Sequence, residues 1–217
     1  MSLLSGSLSG VRQFIASQVM PFVEVSVQTR LKAGVHLDRI LGALGVSEVD
    51  TKAGTDTSGR IIDELLRLYP MPAEWQSLGP VCRRIYAIYG PVLKPDRLNR
   101  DTRDALSWIF GHGNLTAFAQ IRQFIRHGRL VDAAGRDVYL PHAERLTPSI
   151  VLMQGADNAL FLPKGSQDTL QWISNHLGPG SVTRLVFRRY AHLDCFIGKD
   201  AVHDVYPAVL EELEKLS

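Results

Sequence analysis

Two cysteines, Cys82 and Cys195, are all that the 217 residues hold. A pair so far apart excludes a disulfide framework and reads as reduced, buried thiols, which sets the expected compartment as cytoplasmic. No stretch reaches the about 18 consecutive apolar residues of a membrane span. The opening MSLLSGSLSG has neither a basic region nor a long apolar core, so it is not read as a secretory leader. Charge is nearly balanced, with 24 Lys+Arg against 22 Asp+Glu and a net +2. With no basic run interleaved with aromatics, nothing points to nucleic acid. There is no HExxH or CxxC pattern and no glycine-rich phosphate loop, so neither a metal nor another cofactor is expected. A G-x-S-x-G nucleophile elbow is missing too. The nearest string, GSLSG from Gly6 to Gly10, has Leu8 at its centre.

What is present is an apolar content of 45%, enough for a core without staples. Val11 to Val19 has the pattern of a short buried strand ended by Pro21. From there to about residue 145 the periodicity is helical. In RLKAGVHLDRILGALG, Leu31, Val35, Ile40 (or Leu41) and Leu44 can share a face, and Gly45 is a plausible stop. SGRIIDELLRLYPMP, PVCRRIYAIYG, DTRDALSWIFG and NLTAFAQIRQFIRHG follow, each of helix length, with Asp101 and Asn114 as N-cap candidates. LVDAAGRDVYL predicts a small hairpin turning between Val131 and Val138.

The last third changes character. PSIVLMQG is an apolar run of strand length, KGSQDTLQWISNHLG an amphipathic helix, VTRLVFRRY a strand, and DAVHDVYPAVLEELEKL a terminal helix that Pro207 kinks or starts. Strand and helix in alternation imply parallel strands with helical crossovers. The expected fold class is therefore α/β, with partial core segments at 1–20 and 147–217 and a helical insertion over 21–146.

In such sheets function collects in the loops at the C-terminal ends of the strands. GADNALFLP, Gly155 to Pro163, follows the first of the two late strands, and His192 follows the second. Neighbouring parallel strands lie about 4.8 Å apart, so side chains at their tips can hydrogen-bond. Asp157 or Asn158 beside His192 would form the acid–base half of a nucleophilic triad, in the order acid then histidine. The plainer alternative makes Asp157 a turn cap, Asn158 a left-handed turn residue and His192 a half-buried structural histidine. Asp194 reads as a cap of the terminal helix.

These residues carry a resemblance. HLDCFIGKDA, from His192, resembles the closing segment of acid-lipase-type α/β-hydrolases. AHLDCFIGKDAVHDVYP, Ala191 to Pro207, is more similar to hydrolase domains fused to, or encoded near, cholesterol-oxidase-like flavoenzymes of the glucose–methanol–choline class. GVRQFIASQV, RLNRDTRDALSWIFGHGN and GRLVDAAGRDVYLPHAERL match the same group. The resemblance implies a truncated α/β-hydrolase: about three C-terminal strands and a large helical lid, with His192 as catalytic histidine, Asp157 (alternatively Asn158) as acid, and the nucleophile absent. It implies a carboxylic-ester, lipase-like hydrolase acting on a small-molecule ester. Trp75, Tyr86, Tyr89, Trp108, Phe110 and Phe118 would help line an acyl or sterol-like pocket. The alternative is a non-catalytic binding or assembly module of that fold. Removing strands would leave Val11–Val19 as a bare edge, so either a homo-oligomer, simplest as a dimer, or a missing N-terminal half is expected as partner.

Overall fold

A computed structural model describes residues 1–34, 48–52 and 57–215. At its centre three parallel strands stand in the order β1 (Gln13–Ser17), β4 (Ser149–Gly155), β5 (Val182–Phe187). The register pairs Ile15 with Val151 and Leu152 with Arg184, and the last pair is Gly155 with Phe187. This is the expected α/β class with three parallel strands. β4 lies in the middle, so both of its faces are covered, and its run Ile150–Gln154 is buried throughout. Alternation along the strand sorts its side chains. Ile150 and Leu152 meet Ala16, Met20 and Ile173, the last from α7 (Pro163–Leu177). Met153 points the other way, to Ala201 and Val205 near the C-terminus. The N-terminal Leu3 and Leu4 join the α7 side of the core, held by Arg145, which donates to the Leu4 carbonyl at 2.9 Å. The outer edge of β1 has no strand partner among the described residues; Phe14 on the strand and Val19 just beyond it are exposed.

Between β1 and β4 the described residues are mostly helical: α1 (Val27–Gly34), α2 (Thr57–Arg67), α3 (Ala73–Ser77), α4 (Pro80–Tyr89), α5 (Arg100–Ile109) and α6 (Leu115–His127). Asn114 caps α6 by accepting the Thr116 N–H, and Gly128, at φ 65°, ends it in the left-handed conformation that a side chain resists. Asn99 caps α5 by accepting the Thr102 N–H, which leaves Asp101 in the first turn rather than at the cap. The stripe over Val35, Ile40, Leu41 and Leu44 with its Gly45 stop lies outside the described residues; Leu31 is exposed.

Three further expectations change. The hairpin between Val131 and Val138 is a closed turn without strands: Asp132 accepts the backbone N–H groups of Ala134 and Arg136 and binds the Arg136 guanidinium. Side-chain acceptance adds to one backbone bond across the turn, Asp132 N–H to the Arg136 carbonyl at 2.9 Å, and no further ladder forms. A two-stranded antiparallel ribbon instead joins β2 (Glu48–Asp50) to β3 (His112–Asn114). The C-terminal helix is broken as well, into α8 (Asp194–Ile197), α9 (Ala201–Asp204) and α10 (Tyr206–Glu214). Pro207 sits in the first turn of α10, where its missing N–H costs nothing. Asp194 opens the one-turn α8 and does not cap the terminal helix.

Candidate functional site

The loops after β1, β4 and β5 meet at one end of the sheet. Past the last ladder pair, Ala156 N–H donates to the Phe187 carbonyl and Asp157 N–H to the Tyr190 carbonyl, both at 2.9 Å. The two loops are thus stitched together by backbone before any side chain is considered.

Adjacent residues of such a loop point different ways, and the result bears on the acid. Asn158, buried, faces His192: its Nδ2 lies 3.1 Å from the imidazole Nδ1. Asp157 turns outward, 44% exposed, and takes Lys94 Nζ at 2.6 Å. The expected Asp157–His192 pairing is therefore replaced by the alternative, Asn158–His192. The orientation of the Asn158 amide is set by its other contacts. Its Oδ1 accepts the backbone N–H groups of Leu160 and Phe161, each at 3.0 Å. Its Nδ2 also donates to Gln18 Oε1 at 2.9 Å, an oxygen that accepts the Gly155 N–H as well. Gln18 Nε2 then donates to Cys195 Sγ at 3.1 Å. Buried polar groups need such closure, and here each amide spends its donors and acceptors consistently.

Gln18 gave no signal in the sequence. It sits one residue past β1 at φ 61°, in the left-handed region, and only this backbone turns its side chain into the sheet end. Lys94 and Arg97 were also unforeseen. Arg97, buried, donates to the Arg189 carbonyl at 3.1 Å, pairs with Asp200 at 2.9 Å and lies 4.8 Å from the Tyr190 ring centroid. Together with Leu193 N–H donating to the Val92 carbonyl at 2.8 Å, it ties the His192 loop to the segment after α4.

Neither cysteine is disposed to act as a nucleophile. Both are free and buried. Burial raises the Cys82 thiol pKa, and burial followed by the Asp194 charge pushes Cys195 up to about 12, so both stay protonated. Asp194 accepts the Ala191 N–H at 2.8 Å through Oδ2, while Oδ1 has no partner; burial raises its pKa. Burial drives the His192 pKa down from 6.5 to about 4, and its ring packs against Phe161 in a tilted arrangement, 5.6 Å between centroids. No cluster of three or more metal-ligating side chains forms among the described residues, and no helix there is long and apolar enough to cross a membrane.

His192 forms part of the wall of a cavity of about 830 Å³ between the strand ends and the helices. Of the aromatics expected in a pocket, Tyr89, Phe110 and Phe118 line it. Trp75 and Tyr86 instead form the core among the helices, and Trp108 is 88% exposed. Phe22, Tyr69, Phe124 and Phe161 add to the aromatic lining.

The depressed histidine has a consequence for stability. Between pH 6.5 and about 4 the unfolded chain binds a proton at residue 192 that the folded chain refuses. Stability from this group is complete above 6.5 and is lost as pH falls toward 4, by roughly 3 kcal/mol. Urea midpoints of wild type and His192→Gln, measured from pH 7.5 down to 4, are expected to converge over that window; parallel profiles would refute it.

No family model matches the sequence, and no curated protein does. Solved structures that it resembles include a soluble variant of monoglyceride lipase from Saccharomyces cerevisiae in complex with a substrate analog, at 16% identity over 94% of this chain and 54% of that one, TM-score 0.41. Another is E-2-(acetamidomethylene)succinate hydrolase, at 15% identity over 98% of this chain and 59% of that one, TM-score 0.38. The chain spans somewhat over half the length of each.

Proposed function

We propose that the chain is the C-terminal portion of a carboxylic-ester, lipase-like α/β-hydrolase, and that the cavity is the chamber for the apolar part of its ligand. The observation that carries this reading is the position of His192: at the tip of the last strand, on the wall of a chamber lined largely by apolar side chains. The closing segment Ala191–Pro207 and the free edge of β1 support it. In this reading residues 1–20 and 147–217 belong to the hydrolase core and 21–146 form the lid. The nucleophile elbow comes from outside this sequence, and its strands, or a second copy of the chain, add to the β1 edge.

A second reading, a non-catalytic binding module of the same fold, is favoured by one contact. A general base at Nε2 needs its Nδ1–H held by an acceptor, whereas here an amide N–H₂ faces Nδ1. Both readings share the chamber.

The purified chain is expected not to hydrolyse p-nitrophenyl butyrate above background, because no serine or cysteine among the described residues is paired with His192. It is expected to bind Nile red in a manner blocked by Ala87→Trp, which fills the chamber from α4. Turnover abolished by His192→Ala would reveal an unrecognised nucleophile; Nile red binding indifferent to Ala87→Trp would remove the chamber.

A further inference from the structure

The two amide hydrogens of Asn158 face a ring nitrogen and a side-chain carbonyl, and this decides where the histidine proton sits. Nδ1 of His192, 3.1 Å from Nδ2, has to be the acceptor. Rotating the Asn158 amide by half a turn does not relieve this. It would set an N–H₂ group against the Leu160 and Phe161 N–H groups and an oxygen against Gln18 Oε1. Rotating the Gln18 amide in turn would set its N–H₂ against the Gly155 N–H. The network thus has one consistent assignment, in which the imidazole proton is on Nε2. That atom has no partner among the described residues, and the residue that carries it lines the chamber.

We propose that Asn158 is a positioning residue that holds His192 in the Nε2–H tautomer, and that this N–H is the donor by which the chamber grips an uncharged apolar ligand through a ketone, ester or hydroxyl oxygen. The ligand half rests on the chamber reading above; the tautomer half does not. In the chain by itself His192 is then a donor to the ligand and not a base at Nε2, which accords with the binding-module reading above. A protonated ring would point Nδ1–H at the amide hydrogens, so the group stays neutral, in line with its lowered pKa. The ionisable groups around it leave this undisturbed. Asp157 is spent on Lys94, and Asp194 is turned to the Ala191 N–H. Across the chamber Glu24 lies 3.8 Å from Arg30, and Arg122, Tyr69 and Tyr89 share the wall. Charges of both signs give no preference for an ionic headgroup.

The tautomer is read by long-range proton–nitrogen NMR of the whole chain labelled with ¹⁵N. Wild type is expected to show His192 with a bare Nδ1 and a protonated Nε2 from pH 8 to 5.5, and Asn158→Asp to reverse the two nitrogens and raise the titration midpoint. A wild-type spectrum with Nδ1 protonated overturns the proposal without any variant. For the ligand, 2-tridecanone, tridecane and dodecanoate are titrated at pH 7.5. The ketone is expected to bind about 5- to 10-fold more tightly than the alkane, the worth of one hydrogen bond, and His192→Phe to erase that margin between the two ligands. Equal ketone and alkane affinities overturn the donor role, and dodecanoate binding most tightly overturns the preference for an uncharged group. If none of the three binds, the chamber reading fails and takes the ligand half with it, and the spectrum still decides the tautomer.

Discussion

A Gly155→Ala variant is expected to lose roughly 3–5 kcal/mol of stability, beyond the ordinary cost of overpacking. An added Cβ would stand 2.5 Å from the Tyr190 carbonyl oxygen and closer still to that of Ala191. These are backbone atoms, so no rotamer change makes room. Moving them breaks the Asp157–Tyr190 backbone bond and displaces the loop that places His192 opposite Asn158. The variant should therefore lower the urea midpoint and, in whatever folds, lose the bare-Nδ1 signature of His192. Gly111→Ala is the control: nothing stands within 4 Å of its added carbon. Its midpoint should match wild type. Equal midpoints for Gly155→Ala and Gly111→Ala would show that the loops do not close on Gly155 as described.

Trp75→Ala should cost a similar amount, roughly 3–5 kcal/mol, but through a cavity and not through a clash. Trp75 is 1% exposed, lies 5.1 Å from the Tyr86 ring, and packs with Ile85, Leu98 and Leu106. The same cluster takes in Leu193 from the loop after β5 and Ile197 from α8, so the loss reaches the site. Nile red binding should weaken together with thermal stability. Trp108→Ala, at an 88% exposed position, should change stability by less than about 0.5 kcal/mol. If the two tryptophan variants behaved alike, the core among the helices would be misassigned.

The strand framework was open to reading from residue order, and the reason is local. An uninterrupted apolar run such as Ile150–Met153 can be covered on both faces only as a middle strand, and Asn114 and Gly128 bracket α6 by chemistry contained within a few residues. Elements whose stability comes from elsewhere were not readable. The β2–β3 ribbon has three-residue strands, too short for any period to show. The turn after Val131 depends on where one carboxylate, that of Asp132, finds its donors. Choosing Asn99 over Asp101 as the cap of α5 needed the backbone angles that only the folded chain supplies.

At the site the division falls between residues that touch in sequence. Alternation of strand and helix sufficed to put Asp157, Asn158 and His192 at neighbouring strand tips, because parallel strands deliver their C-terminal ends to the same side. It did not suffice to choose between Asp157 and Asn158. Within one tight turn the two side chains leave in different directions, and the hydrogen bonds of Leu160, Phe161 and Gln18 decide which enters. Gln18 lies 140 residues from Asn158 in the chain, with a left-handed backbone that no period or motif announces. Amide orientation, ring tautomer and the chamber wall all follow from groups that meet only after folding, because a hydrogen bond is fixed by direction at about 3 Å and not by order along the chain.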